Sequence, residues 1–251
     1  MPKPSHTAKP SWPYQPFLLR FLHGLTGLCL ILAMLTAFWT YTVYDGRWLQ
    51  APLPDYREIE GIHGTFGLYT LLIFPAFVLY AFHRGAKRLI QPGSWSKLAR
   101  VGEPIWWYTL NRLTNTFALL ALTFALFSGK MMDETWLPKG ELNHAWYEAH
   151  VVSWVVMLGA IALHGLLNAR LGGLPLLLSM WHTKVRAMDS PRRWPGQMRL
   201  WWAKARQMSW LARWHAFMGL PRLALAILGV LLLAWILSLV KEVTDLLLVA
   251  A

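Results

Sequence analysis

The chain has 251 residues, 56% of them hydrophobic and 14% charged, with a net charge of +12 and a mean hydropathy of +0.36. This balance excludes an ordinary soluble domain and suits a polytopic membrane protein. The single cysteine, Cys29, excludes an internal disulfide, a thiolate-held iron–sulfur cluster and C-x-x-C-H haem attachment, and it reads as a small buried hydrophobe.

Residues 1–16, rich in proline and polar groups, disfavour helix. With no A-x-A-like site behind an apolar core, no cleaved signal peptide is expected, and the first span serves as the signal and stays. Segments of spanning length follow at 17–44, 61–83, 108–128, 146–168 and 221–240. Between the last two, Arg199, Lys204, Arg206 and Arg213 interleave with Trp201, Trp202, Trp210 and Trp214. That pattern predicts an amphipathic helix at an anionic membrane surface, with docking of a redox partner as the other reading. Tryptophan this dense beside spans argues against nucleic acid.

The basic charge reads as topology. The N-terminal segment and the 83–112 and 170–222 connections carry 19 of the 24 Lys and Arg, with only Glu103 and Asp189 among the acids. The opposite connections hold Asp45, Asp55, Glu58, Glu60, Asp133, Glu134 and Glu141. Alternate connections therefore alternate in basic content, which puts the N-terminus in the cytoplasm and the C-terminus outside across five spans.

Histidine carries the chemistry. His23 lies near the inner start of the first span, His63 at the outer start of the second, and His150 and His164 in the fourth. Fourteen residues at ~100° each fall only about 40° short of four turns, so the last two share a face, ~21 Å apart along the axis. Depth then pairs His23 with His164 and His63 with His150, which is what two stacked b-type haems need. Gly24, Gly64 and Gly165 each follow a ligand candidate and remove a Cβ that would obstruct a flat macrocycle; they are also ordinary small helix–helix contacts. His144 and His83 lie on the wrong face, at span edges, and read as interfacial, while His6, His182 and His215 read as solvated.

One histidine in the first span, one in the second and two in the fourth, with Arg20-x-x-His23 and the His150–His164 spacing, resembles the di-haem cytochrome b subunits of nickel–iron hydrogenases and formate dehydrogenases, the bacterial cytochrome b-561 type. The resemblance covers residues 17–170. It implies an inner haem on His23 and His164, an outer haem on His63 and His150, exchange with the quinone pool, and a dehydrogenase or other redox protein as partner. It also implies a bacterial inner, or internal photosynthetic, membrane. The Trp-rich stretch and the fifth span depart from the family pattern.

Arg20, one turn from His23, reads as a clamp for a haem propionate or as a positive-inside anchor. Lys130 is the corresponding candidate for the outer haem. Asn111, Arg112, Asn115 and Asn168 are polar candidates for a quinone site, or helix-end residues. The expected fold is an all-α integral membrane protein: an up-and-down bundle of four haem-bearing helices, a fifth transmembrane helix and an interfacial amphipathic helix. Its parts are a tail at 1–16, the di-haem module at 17–170, the basic Trp-rich segment at 171–220 and the last span with an outer C-terminus at 221–251. The function expected is transmembrane electron transfer through two b haems in a quinone-linked oxidoreductase. A non-haem transporter with a histidine proton path and a stand-alone quinol-dependent oxidase are the rivals.

Overall fold

The computed structural model describes residues 13–132, 142 and 144–250, without the side chains of 217–218, 241–242 and 245–250. The proline-rich tail to residue 12, with His6, and the acids Asp133, Glu134 and Glu141 lie outside the described residues. Among the described residues eight α-helices run in order: α1 Phe17–Tyr44, α2 Ile59–His83, α3 Ser94–Leu98, α4 Pro104–Met131, α5 Ala145–Leu178, α6 Trp194–Gln207, α7 Trp210–Met218 and α8 Arg222–Ala250. No strand occurs among the described residues. α1, α2, α4, α5 and α8 are each long and apolar enough to cross a membrane.

The helices overrun the expected spans where end signals allow. Pro104 sits in the first turn of α4, where its missing N–H costs nothing, and starts that helix four residues early. α5 continues to Leu178, but Gly173 at φ 62° and ψ −165° breaks its regularity just ahead of Pro175. Only glycine adopts that backbone cheaply, so the regular helix is interrupted there although the sequence stays apolar to Leu178. The expected interfacial helix is two helices, because Met208 turns extended at ψ 133° and the Ser209 hydroxyl then accepts from Ala212 N at 3.1 Å to restart the chain as α7. Trp201, Trp202 and Trp210 are exposed.

α1 packs antiparallel on α2, and α4 on α5. The buried core does not lie at the centre of these four helices. It is built from Leu71, Phe74, Val78 and Phe82 of α2, Leu119 and Leu122 of α4, and Ala224, Ile227, Leu231 and Ala234 of α8. The last four recur at three- and four-residue spacing, a stripe of small and aliphatic side chains that lets α8 approach closely, as bilayer packing requires. The fifth span is thus part of the core and not an appendage. α1, by contrast, turns Leu28, Ile31 and Leu35 outward. The histidines of α1 and α2 face those of α5 across a gap between these helices.

Candidate functional site

Two histidine pairs face each other across this gap. His23 of α1 and His164 of α5 have ring centroids 6.0 Å apart, and His63 of α2 and His150 of α5 are separated by the same 6.0 Å. The first pair lies towards the membrane side with the basic connections, the second towards the acidic side. Two metal–imidazole bonds of ~2.0–2.1 Å plus two ring radii come to roughly 6 Å, so each gap is the width of one ligated metal.

The hydrogen bonds at the far ring nitrogens decide which nitrogen faces the gap. His63 Nδ1 lies 3.0 Å from the Ala33 carbonyl oxygen. A carbonyl only accepts, so Nδ1 carries a proton, and in the neutral ring Nε2 keeps the lone pair. Asn115 donates from Nδ2 to the Arg88 carbonyl at 2.9 Å, which turns its oxygen towards His164 Nδ1, also at 2.9 Å. His164 is therefore protonated at Nδ1 as well. The Ser128 hydroxyl oxygen lies 3.2 Å from Ala125 O and 3.1 Å from His150 Nδ1, and with its proton on that carbonyl it accepts from Nδ1. Three of the four imidazoles thus have an acceptor at Nδ1, which in the neutral ring leaves the lone pair on Nε2, the form in which histidine binds a metal. His23 is held differently, edge-on to Phe77 at 5.8 Å.

Room for a flat group lies beside the rings. Gly27 and Gly67 stand one turn beyond His23 and His63 on the same helix faces, and an added Cβ at either would meet nothing within 4 Å. The same holds at Gly24, Gly64 and Gly165. Gly129 has the opposite role: a Cβ there would come within 3.1 Å of His150 Cε1, so its absence lets that ring lie against α4. Among the described residues no cluster of three His, Cys, Asp or Glu could complete a metal site by protein groups alone. For an iron held by two imidazoles, a macrocycle would supply the remaining donors.

Residues 14–183 match the family of prokaryotic cytochrome b561. The chain belongs to that family. No curated protein and no solved structure matches. Membership makes this protein a multi-pass bacterial membrane cytochrome that carries haem b, contacts lipid and transfers electrons, and the paired imidazoles with open space at neighbouring glycines fit that cofactor.

Other sequence candidates fall around the gap. Arg20 is buried, donates to the Lys184 carbonyl at 2.9 Å and lies over the rings of Tyr14 and Phe17, while its Nε has no partner. Asn168 donates to the carbonyl of His164 on its own helix at 2.7 Å. Asn111 keeps a buried side-chain oxygen without a partner. Lys130 lies in the last turn of α4 and Arg112 within that helix, both half-buried. His144 caps α5, its Nδ1 accepting from Trp146 N at 3.1 Å, and His83 ends α2 exposed.

Sequence reasoning missed Ser128, Gly129 and the Ala33 carbonyl, and it gave Asn115 no role towards His164. It also missed the closures at either end. On the basic side Tyr14 donates to Asp189 at 2.6 Å, under the Arg186 guanidinium 4.0 Å from its ring. On the acidic side Asp45 accepts from Arg47 Nε and from the Tyr147 hydroxyl, each at 2.6 Å, and Arg47 bonds Glu148 at 2.9 Å. Burial raises the pKa of Asp45, but those bonds outweigh it and hold the carboxyl below its ordinary range.

Proposed function

We propose that the cytochrome carries two b haems, one on His23 and His164 towards the cytoplasm and one on His63 and His150 towards the outside, and passes electrons between them as the membrane subunit of a quinone-linked oxidoreductase. The observation that carries this reading is the pair of 6.0 Å gaps, each between one histidine of α5 and one of α1 or α2. When bound there, each haem would supply a one-electron iron couple, and the protein supplies its ligands, orientation and dielectric.

The chain's own groups have separable tasks. α5 contributes one imidazole to each site, with α1 and α2 contributing the others. Arg20, buried and short of one partner at Nε, is suited to an anionic propionate on the cytoplasmic side, and Lys130 is its candidate counterpart on the outer side. Asn111, with its unpartnered buried oxygen, and Arg112 support a quinone site near His164, with Asn115 and Asn168 beside them. A dehydrogenase or other electron protein would meet the opposite haem. The distribution of basic residues supports an N-terminus in the cytoplasm and a C-terminus outside.

A pyridine haemochrome assay on the purified protein tests the count directly. Two haem b per chain, extractable into acidified acetone, is the expected result; one per chain would overturn the double site.

A further inference from the structure

α4 contributes no histidine to either pair, yet it touches both α5 histidines. The two helices run antiparallel, with thirteen residues from Asn115 to Ser128 and fourteen from His150 to His164. That register sets Asn115 against His164 Nδ1 at 2.9 Å and Ser128 against His150 Nδ1 at 3.1 Å. Gly129, next to Ser128, removes the one Cβ that would push His150 away.

We infer that α4 is the positioning helix of the cytochrome: Asn115 and Ser128 choose the donor nitrogen of the two α5 histidines and set how strongly each donates. The inference rests on the two-haem reading. Its strongest link is the relay Arg88 carbonyl, Asn115, His164. A backbone carbonyl cannot donate, so the amide nitrogen must face Arg88 and the amide oxygen must face the ring. Arg88 is in turn fixed, donating from its guanidinium to Gln15 at 2.6 Å, while Ile90 N donates to Thr116 beside it at 2.9 Å. The connection between α2 and α4 thereby anchors the ligand's orientation.

The electronic consequence follows from the same bonds. An imidazole donating its Nδ1–H to a good acceptor is a more basic ligand at Nε2. A more basic ligand favours the oxidised iron, so the bond lowers that site's midpoint potential. A carboxamide oxygen is a better acceptor than a hydroxyl, and the effect is larger at His164 than at His150.

The test is a redox titration of the purified holoprotein, read by visible absorbance and by low-spin electron paramagnetic resonance, for wild type, Asn115→Leu, Asn115→Asp and Ser128→Ala. Asn115→Leu should raise the potential of the His23/His164 component and move its resonance signal, leaving the other component in place. Asn115→Asp keeps an accepting oxygen, so its component should stay at or below the wild-type potential. Ser128→Ala should shift only the His63/His150 component, and less. The inference is overturned if Asn115→Leu leaves both components unmoved, shifts both equally, or is matched in sign and size by Asn115→Asp. Should Asn115→Leu lose its component altogether, retention by Asn115→Asp supports the inference, and loss in both overturns it. A wild-type titration with only one component and one haem per chain would instead overturn the two-haem reading itself.

Discussion

Trp154 of α5 donates its indole N–H to the Met34 carbonyl of α1 across 3.0 Å, between the two histidine pairs. The neighbouring Ala33 carbonyl receives His63, and the Leu32 carbonyl receives the Thr36 hydroxyl at 2.8 Å. Three successive carbonyls of one helix thus accept from side chains, two of them from other helices. In a medium without water each such donor needs a protein partner, so this stretch of α1 fixes both the ring of His63 and the closure of the gap.

Trp154→Phe should keep the ring contact with Phe38, whose centroid lies 6.0 Å away, and lose only the hydrogen bond. A loss of about 0.5–1.5 kcal/mol is expected, seen as a lower thermal midpoint in detergent with full haem content. Unchanged stability would show that the bond holds nothing together.

The Asp45 carboxylate makes a pH-dependent clasp between the end of α1 and the start of α5. Its side chain is only 1% exposed. Burial alone would raise its pKa, and the bonds from Arg47 and Tyr147 more than offset that, leaving it depressed. A depressed carboxyl contributes stability that is complete above its unfolded pKa of ~3.9 and is lost as pH falls through the folded value. The thermal midpoints of wild type and Asp45→Asn should therefore differ most near neutrality and converge below about pH 4. A gap that stays constant down to pH 3 would show that the charge on Asp45 contributes nothing.

Much of this architecture was legible in the sequence, because a bilayer imposes one rule on every span: about twenty apolar residues, punctuated by polar connections. The start of α1 at Phe17 and the shared face of His150 and His164 follow from length and helical periodicity alone. What periodicity cannot give is which neighbour a face meets. Asn115 reads from sequence as a quinone candidate or a helix-end residue, and the hydrogen bonds of its amide to Arg88 and His164 lie beyond either reading. Recognising it required the register between α4 and α5. The place of α8 was hidden for a similar reason, since its Ala224, Ile227, Leu231 and Ala234 stripe is no more apolar than its lipid face. His144 reads as interfacial from its place at the span edge, and its added role as a cap depends on a backbone N–H that periodicity does not locate.

Topology can be checked without any cofactor. A reporter fused after Ala251 should be exposed outside, and one inserted near Ser190 should be cytoplasmic, because the N-terminal segment and the 83–112 and 170–222 connections carry 19 of the 24 basic residues. Both reporters on one side would remove the fifth crossing.

The sharpest separation of roles lies within α5, the one helix that faces both gaps. His164→Ala leaves His23 without a partner across its 6.0 Å gap and should remove one haem of the two, while His63 and His150 keep theirs. His150→Ala should do the reverse. Each variant leaves one imidazole and a hollow shaped for a macrocycle, so about 2–5 kcal/mol of destabilisation is expected as well. Electron transfer across the membrane should fail in both, since losing either carrier opens a gap across much of a ~30 Å core. His144→Ala is the control with its own signature. It removes the cap on Trp146 N, which should cost about 1 kcal/mol of helix stability, and it should retain both haems by pyridine haemochrome. If His144→Ala loses a haem while His150→Ala keeps two, the ligand on the acidic side is His144, and the 6.0 Å gap between His63 and His150 is packing alone.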